Sequence, residues 1–166
     1  NWAPNTSISS INNDTVIVNP VNNITYSVIG TNLLGCTSTI QLPVTVHSNP
    51  IVSVNSSSNP ICLGETSILS ANGAYAYSWQ PSSSLNINTG ISVSAMPTSL
   101  TTYAVTGTDV NNCSAIASIT IHVNPLPIIT VSPNVSTICE GSSVVLTASG
   151  VSDFVWSPAL GLNTTI

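Results

Sequence analysis

The fold is indicated most clearly by residues 101–108, TTYAVTGT, in which Tyr103 and Val105 alternate with small or hydroxylated residues. A period of two places successive side chains on opposite faces of a β-strand, so that one face can be buried. Similar alternation occurs in residues 116–123, IASITIHV, and in residues 52–54, VSV. Turn-forming residues recur about every eight to twelve positions, and no stretch has a convincing helical period. The sequence therefore predicts an all-β fold of the sandwich type.

Working outward from this stretch, we predict six strands and one short optional strand near residues 85–88. The six lie near residues 50–55, 66–71, 75–80, 91–96, 101–108 and 115–123. Asn72-Gly73 falls between the second and third of these strands. Because Asn-Gly tolerates positive φ at both central turn positions, this dipeptide predicts a β-hairpin.

The sequence repeats itself at a constant interval. The residue numbers differ by 77 for the tryptophans, for the prolines two positions after them and for two pairs of cysteines: Trp2, Trp79 and Trp156; Pro4, Pro81 and Pro158; Cys36 and Cys113; Cys62 and Cys139. Freely varying loops accumulate insertions, so a constant spacing indicates a structural unit that was copied whole. A unit of this length is a domain rather than one coil of a solenoid.

The recurring positions also carry a family resemblance. They read Cys62-Leu-Gly64, Leu69-Ser-Ala71, Trp79-Gln-Pro81, Leu85, Val93, Pro97, Tyr103-Ala-Val105-Thr-Gly107-Thr108, Cys113 and Ile121-His-Val123-Asn-Pro125. This pattern resembles the Ig-like, PKD-like tandem repeats of very large secreted Bacteroidota proteins. The resemblance implies export by the type IX system, many β-sandwich repeats, and a role as a surface adhesin, a filament or a gliding-associated protein.

On this basis the predicted fold class is a tandem array of immunoglobulin-like β-sandwich repeats with a 77-residue period. Residues 1–48 are expected to be the C-terminal part of one repeat, residues 49–125 a complete repeat, and residues 126–166 the N-terminal part of a third. The segment is then expected to belong to a longer chain. Its two partial repeats are complementary pieces of one sandwich, joined either as continuous chain or by strand donation between copies.

The composition restricts the possible partners. The chain has no Lys or Arg, five acidic residues and a formal charge of −5, while Asn, Ser and Thr make up 67 of its 166 residues. Without basic side chains it has no groups to neutralise phosphates or anionic lipids, so we expect no nucleic-acid partner. Mean hydropathy is +0.41, but no apolar run reaches the roughly 18 residues of a spanning helix. The expected partners are neighbouring repeats of the same or an identical chain, and glycans.

Each unit has two cysteines, which predicts a disulfide in an extracellular domain. We expect Cys62 to pair with Cys113 within the complete unit. Cys36 and Cys139 then have partners outside the segment or in a neighbouring copy. Two alternatives remain: a direct bridge between Cys36 and Cys62, and a zinc site, for which the sequence lacks the usual Cys-x-x-Cys pairs. No metal and no cofactor are predicted.

One aromatic residue recurs at a fixed strand position in each unit. We predict that Trp79 and Trp156 are core residues of the sandwich, and that Tyr26 and Tyr103 are core or corner tyrosines tethered by their hydroxyls. The alternative is that the tryptophans are exposed and stack on sugars or on a protein partner.

Catalytic residue patterns are lacking. His47 and His122 do not follow the repeat spacing, the acidic residues are scattered, and no phosphate-binding loop or nucleophile motif occurs. Asp109, with Asn111 and Asn112, offers oxygens for one weak calcium site, and the alternative is an Asx turn. We predict that the protein is not an enzyme.

Glycosylation is the expected modification, because sugars would cover a surface that has almost no charge. Seven Asn-x-Ser/Thr sequons begin at Asn5, Asn13, Asn23, Asn55, Asn112, Asn134 and Asn163. Thr15, in Asp14-Thr15-Val16, resembles the O-glycosylation site of the same bacterial group.

Together these features predict a structural segment of an extracellular or cell-surface stalk, filament or adhesin that acts as a mechanical spacer. One alternative is that the repeats themselves bind glycans or proteins, which requires an exposed aromatic or apolar patch in every unit. Another is a non-catalytic accessory array attached to a secreted hydrolase.

Overall fold

The computed structural model describes residues 1–163, and within them it is all-β, as the alternation predicts. Thirteen strands follow one another in this range: β1 Trp2–Ala3, β2 Ile24–Thr31, β3 Thr37–Val44, β4 Ser53–Ser56, β5 Ile61–Cys62, β6 Ser67–Asn72, β7 Ala76–Gln80, β8 Ser92–Ala95, β9 Thr101–Thr108, β10 Ser114–Ile121, β11 Val123–Asn124, β12 Thr130–Ser132 and β13 Thr147–Ser149.

Residues 53–124 form two three-stranded sheets around one core. One sheet has the order β4-β6-β8 and the other β10-β9-β7, while β5 and β11 form a short parallel ladder. The buried side chains come from both sheets and from β5: Ile61, Leu69, Ala71, Tyr77, Trp79, Val93, Ala95, Tyr103, Val105 and Ile121. The architecture of this central segment is therefore that of a β-sandwich.

The predicted strands are observed within a few residues of their expected positions. Residues 101–108 form β9 with the predicted bounds. The last predicted strand is divided into β10 and β11 at His122, whose backbone nitrogen donates to Asn59 Oδ1 at 2.9 Å. The optional strand near 85–88 is wrong, because only an isolated bridge between Leu85 and Ala95 forms there.

The hairpin predicted at Asn72-Gly73 is also wrong. β6 pairs with β4 and β8, whereas β7 pairs with β9, so this turn carries the chain from one sheet to the other. Gly73 has φ +99°, and a Cβ there would overlap the carbonyl oxygen of Ile51. The Asn-Gly pair thus meets the need for positive φ and a close backbone approach at a crossover, rather than at a two-residue hairpin.

Two further sheets precede and follow the central sandwich in the sequence. Before it, β1, β2 and β3 form an antiparallel sheet in that order. After it, β12 and β13 form an antiparallel pair through residues 130–132 and 147–149. Many apolar side chains of these flanking sheets remain exposed, including Ile40, Leu42, Val131 and Leu146.

Candidate functional site

The aromatic residues of the central sandwich are fixed by both packing and hydrogen bonds. Trp79 is fully buried, and its Nε1 donates to the carbonyl oxygen of Gly90 at 2.9 Å. Tyr103 is fully buried, and its hydroxyl is hydrogen-bonded to Ser84 Oγ. Because the indole and phenol groups are satisfied inside the core, these two side chains offer no free face to a ligand.

Two aromatic residues of the first flanking sheet make related contacts. Trp2 Nε1 donates to the carbonyl oxygen of Asn13 at 3.0 Å, which matches the contact of Trp79 with Gly90 when both residue numbers are lowered by 77. Tyr26 is buried, and its hydroxyl lies 3.1 Å from the carbonyl oxygen of Thr6. Residues 1–48 therefore hold part of a core of their own.

This part-core is open on one side. A hollow of about 270 Å³ lies over β2 and is lined by Trp2, Asp14, Thr15, Val16, Val18, Tyr26 and Leu42. When the residue numbers of Trp2, Val16 and Tyr26 are raised by 77, their counterparts are Trp79, Val93 and Tyr103, which are buried in the central core. In the central sandwich Trp79 and Tyr103 belong to one sheet and pack against the other sheet, β4-β6-β8, which contains Val93.

The last flanking sheet also has a hollow beside it. This smaller hollow is lined by Ile129, Val131, Ala148, Asp153, Phe154, Val155 and Trp156. Trp156, predicted as a core residue, is 37% exposed, because no second sheet covers β12 and β13 within the described residues. Its counterpart Trp79 is buried by the β10-β9-β7 sheet and the strands opposite it.

The structure contradicts the predicted disulfide between Cys62 and Cys113. All four cysteines lie within the described part of the chain, and all four are free thiols. Cys62 pairs with Asn124 in the ladder of β5 and β11, whereas Cys113 precedes the start of β10. The extended chain between Cys113 and Asn124 separates the two thiols by roughly 30 Å, and a disulfide needs Cα atoms within about 7 Å.

The bridge between Cys36 and Cys62 is absent as well, since both are free thiols. Cys36 closes the turn that leads into β3, at the place where Cys113 leads into β10. Sequence spacing alone did not indicate that Cys62 and Cys113 lie at opposite ends of the central sandwich, because their placement depends on the pairing of β5 with β11.

Cys113 lies at the point where the chain enters the central sandwich. Its Sγ is 3.9 Å from the carbonyl oxygen of His47, which lies beyond the end of β3. This contact joins a turn of the central sandwich to the segment that precedes it. The cysteine is partly buried, whereas Cys62 at the other end is exposed.

The turn before Cys113 is closed by an acidic side chain. Asp109 Oδ1 accepts hydrogen bonds from the backbone nitrogens of Asn111 at 2.8 Å and Cys113 at 2.9 Å. The carboxylate therefore organises an Asx turn, and Asn32 Oδ1 closes the turn before Cys36 in the same way. Within the described residues no group of three or more His, Cys, Asp or Glu side chains is placed to hold a metal ion.

The predicted glycosylation residues are exposed. They are Asn5, Asn13, Asn23, Asn55, Asn112, Asn134, Asn163 and Thr15. Asn23 is engaged, because its Oδ1 accepts a hydrogen bond from the backbone nitrogen of Val46 at 2.7 Å. The two hydroxyl-bearing residues after Asn163 lie outside the described residues.

No helix among residues 1–163 is long and apolar enough to cross a membrane. A scan against protein-family models matched no family, and a search of curated proteins returned no similar protein.

Proposed function

We propose that this chain is part of an extracellular stalk or filament built from tandem immunoglobulin-like β-sandwiches, and that it acts as a mechanical spacer. The observation that carries the proposal is that strand pairing recurs when both partners' residue numbers are raised by 77. Tyr26 pairs with Leu42 in β2 and β3, and Tyr103 pairs with Ile119 in β9 and β10.

The repetition extends to the other strands. Trp2 pairs with Val28 as Trp79 pairs with Val105. On the other sheet, the β12–β13 pair reproduces β4–β6, and a Cβ on Gly150 would overlap the carbonyl oxygen of Ile128 as one on Gly73 would overlap that of Ile51. Shared register at three places supports serial copies of one domain rather than unrelated sheets.

The connections between units support a shaft of limited flexibility. The last strand of the central sandwich ends at Asn124, and the next strand, β12, begins at Thr130. Pro125 and Pro127 lie in this short connection, and proline restricts the backbone more than a Gly/Ser linker does. The contact of Cys113 with the carbonyl oxygen of His47, between the central sandwich and the segment before it, also supports a shaft of limited flexibility.

A binding module built on a recurring exposed aromatic residue is less well supported. Such a module needs an exposed aromatic or apolar patch at the same place in every unit. Tyr75 is 77% exposed in the central unit, but Ser152 occupies the equivalent position of the next unit. Trp79 and Tyr103 stand at aromatic positions that do recur along the chain, and both are buried in the central unit.

The spacer function is tested by lengthening the chain. One or two further copies of residues 49–125 are inserted after Pro125, and the maximum dimension of each protein is measured by small-angle X-ray scattering. Because residues 114–124 extend along the unit, each copy is expected to add about 40 Å. A compact multidomain particle would instead grow with roughly the 0.4 power of chain length, and that result would contradict the proposal.

A further inference from the structure

The two thiols of the central unit lie at its two ends. Cys113 belongs to the turn near Ile51 and Val52, where the chain enters, since a Cβ on Gly107 in the same hairpin would touch Val52. Cys62 belongs to β5, beside Asn124, where the chain leaves. A cysteine at each end cannot close a bond within one unit, but it is placed to meet a cysteine of the adjacent unit.

The contacts made at the entry end and at the exit end of a unit involve the same position of the repeat, that of His47 and Asn124. Cys113 touches the carbonyl oxygen of His47, and Asn124 is the repeat equivalent of His47 in the next unit. The carbonyl oxygen of Asn124 accepts a hydrogen bond from the nitrogen of Leu63, the neighbour of Cys62, at 2.9 Å. Thus one carbonyl position, that of His47 and Asn124, makes both contacts. It touches the entry cysteine of the unit that follows it, and it lies beside the exit cysteine of the unit that it ends.

These two contacts place the entry cysteine of the next unit close to the backbone beside Cys62. If the next unit is seated as the central one is, its entry cysteine lies 3.9 Å from the Asn124 oxygen. That oxygen is 2.9 Å from the Leu63 nitrogen, so the incoming sulfur is within about 7 Å of the residue after Cys62. Bridged cysteines have Cα atoms about 4.4 to 6.8 Å apart, and a sulfur this near the Leu63 backbone brings the entry cysteine into the neighbourhood of Cys62.

We propose that successive units are joined by disulfides between the exit cysteine of one unit, at the position of Cys62, and the entry cysteine of the next, at the position of Cys113. The proposal rests on the serial arrangement of the proposed function. Cys139 and Cys36 occupy the same exit and entry positions in the third and first units, and their partners are of the same two kinds. Each cysteine therefore pairs with a cysteine of an adjacent unit.

The bond forms by thiol–disulfide exchange with a disulfide oxidant. The thiolate of one cysteine attacks the oxidant's disulfide and releases one thiol, and the second cysteine then attacks the mixed disulfide and releases the other. The two cysteines lose two protons and two electrons, and the oxidant's disulfide becomes two thiols. Oxidised glutathione supplies this chemistry in vitro. Cys62 is exposed and Cys113 partly so, which leaves both within reach of the oxidant.

Such links would shorten the covalent path along the shaft. A bond from one exit cysteine to the entry cysteine of the next unit encloses roughly 130 residues, which would otherwise extend by about 400 Å under load. Loops at successive junctions overlap, so the oxidised array would still extend after its sandwiches unfold, but less than the reduced array.

The test uses the full chain with one extra copy of residues 49–125 inserted after Pro125, and with Cys36→Ser and Cys139→Ser. A junction variant keeps Cys62 in the first copy and Cys113 in the second, with serine at the other two positions. A matched control keeps Cys113 in the first copy and Cys62 in the second. Both are incubated with oxidised glutathione, treated with an alkylating reagent under denaturing conditions, and weighed intact.

The junction variant is expected to remain monomeric, to lose both reactive thiols and to regain them on reduction, while the control keeps no intramolecular bond. The near-ultraviolet circular dichroism of both variants checks that the sandwiches are folded. Elongation by about 40 Å per copy with both junction thiols still reactive would overturn the disulfide and leave the spacer function standing. A lengthened chain that does not elongate would overturn the spacer function itself.

Discussion

The hydroxyl of Tyr77 bonds both backbone groups of Ala74: it accepts from the nitrogen at 2.7 Å and donates to the carbonyl oxygen at 3.0 Å. Ala74 lies just after the crossover at Asn72-Gly73, where the chain has left one sheet and has not yet joined the other. The Tyr77 side chain thus supplies the hydrogen-bond partners that a neighbouring strand would otherwise give to the backbone of Ala74. The residue 77 positions further along the sequence is Phe154, which has no hydroxyl.

Replacing Tyr77 by phenylalanine is expected to destabilise the central unit by about 1–2 kcal/mol, because the nitrogen of Ala74 loses its partner in a partly buried site. Tyr75→Phe is the matched control, since Tyr75 is exposed, and it is expected to change stability by less than about 0.5 kcal/mol. Urea unfolding followed by tryptophan fluorescence measures both. Equal effects of the two variants would contradict a structural role for the Tyr77 hydroxyl.

The strands, but not their pairing, were predictable from the sequence. Alternation in residues 101–108 fixes which side chains face inward, and β9 forms with those bounds. Asn72-Gly73 misled the prediction because a crossover between sheets and a hairpin both need positive φ, and only long-range pairing distinguishes them. The cysteine pairing failed for the same reason, since the position of Cys62 depends on β5 meeting β11. The burial of Trp79 was predictable from its fixed position. Trp156 is partly exposed because, within the described residues, no second sheet covers it.

Gly107 and Gly30 occupy the same repeat position in different surroundings. A Cβ on Gly107 would lie 2.5 Å from Val52 Cγ2 and 2.8 Å from Ala74 Cβ, whereas nothing lies within 4 Å of one on Gly30. Gly107→Ala is therefore expected to cost about 1–3 kcal/mol through overpacking, and Gly30→Ala to cost less than about 0.5 kcal/mol. Chemical unfolding of the two single variants measures the difference. A Gly107→Ala protein as stable as the parent would show that this contact relaxes freely.

Leu69 and Leu146 offer a second matched pair. Leu69 is fully buried between the two central sheets, and Leu146 is 40% exposed. Truncation of Leu69 to alanine leaves a cavity, so we expect a loss of about 2–5 kcal/mol, against less than about 1 kcal/mol for Leu146→Ala. Thermal unfolding of both variants tests this. If Leu146→Ala proves equally costly, the last flanking sheet must be covered in solution, by another copy or another part of the chain.

Glycosylation is tested by the intact mass of protein purified from its natural source. The exposed Thr15 and the exposed sequons at Asn5 and Asn134 are accessible positions, whereas the Oδ1 of Asn23 is already bonded to Val46. We expect a mass above that of the bare polypeptide, and a decrease after enzymatic or chemical removal of glycans. A mass equal to the bare sequence would exclude the modification at all of these residues.

The stability of the sandwich is expected to be nearly independent of salt. The chain has no Lys or Arg, so no side-chain ion pair with a permanent cation contributes to folding. Its net charge of −5 is spread over 166 residues, and screening between about 20 mM and 1 M NaCl removes only weak repulsion. The melting temperature should therefore shift by less than about 2 °C.

A control variant introduces a side-chain ion pair, which the parent protein lacks. Thr102 and Thr120 face each other across β9 and β10, with their Oγ1 atoms 2.7 Å apart. The double variant Thr102→Glu with Thr120→Lys places opposite charges on these neighbouring positions, which adds a pair worth about 0.2–1 kcal/mol at low salt. Its melting temperature should fall toward that of the parent as salt is raised. If the melting temperature of the parent depends on salt more than that of this variant, its few acidic groups govern folding. That result would contradict a fold held by an apolar core and by hydrogen bonds between uncharged groups.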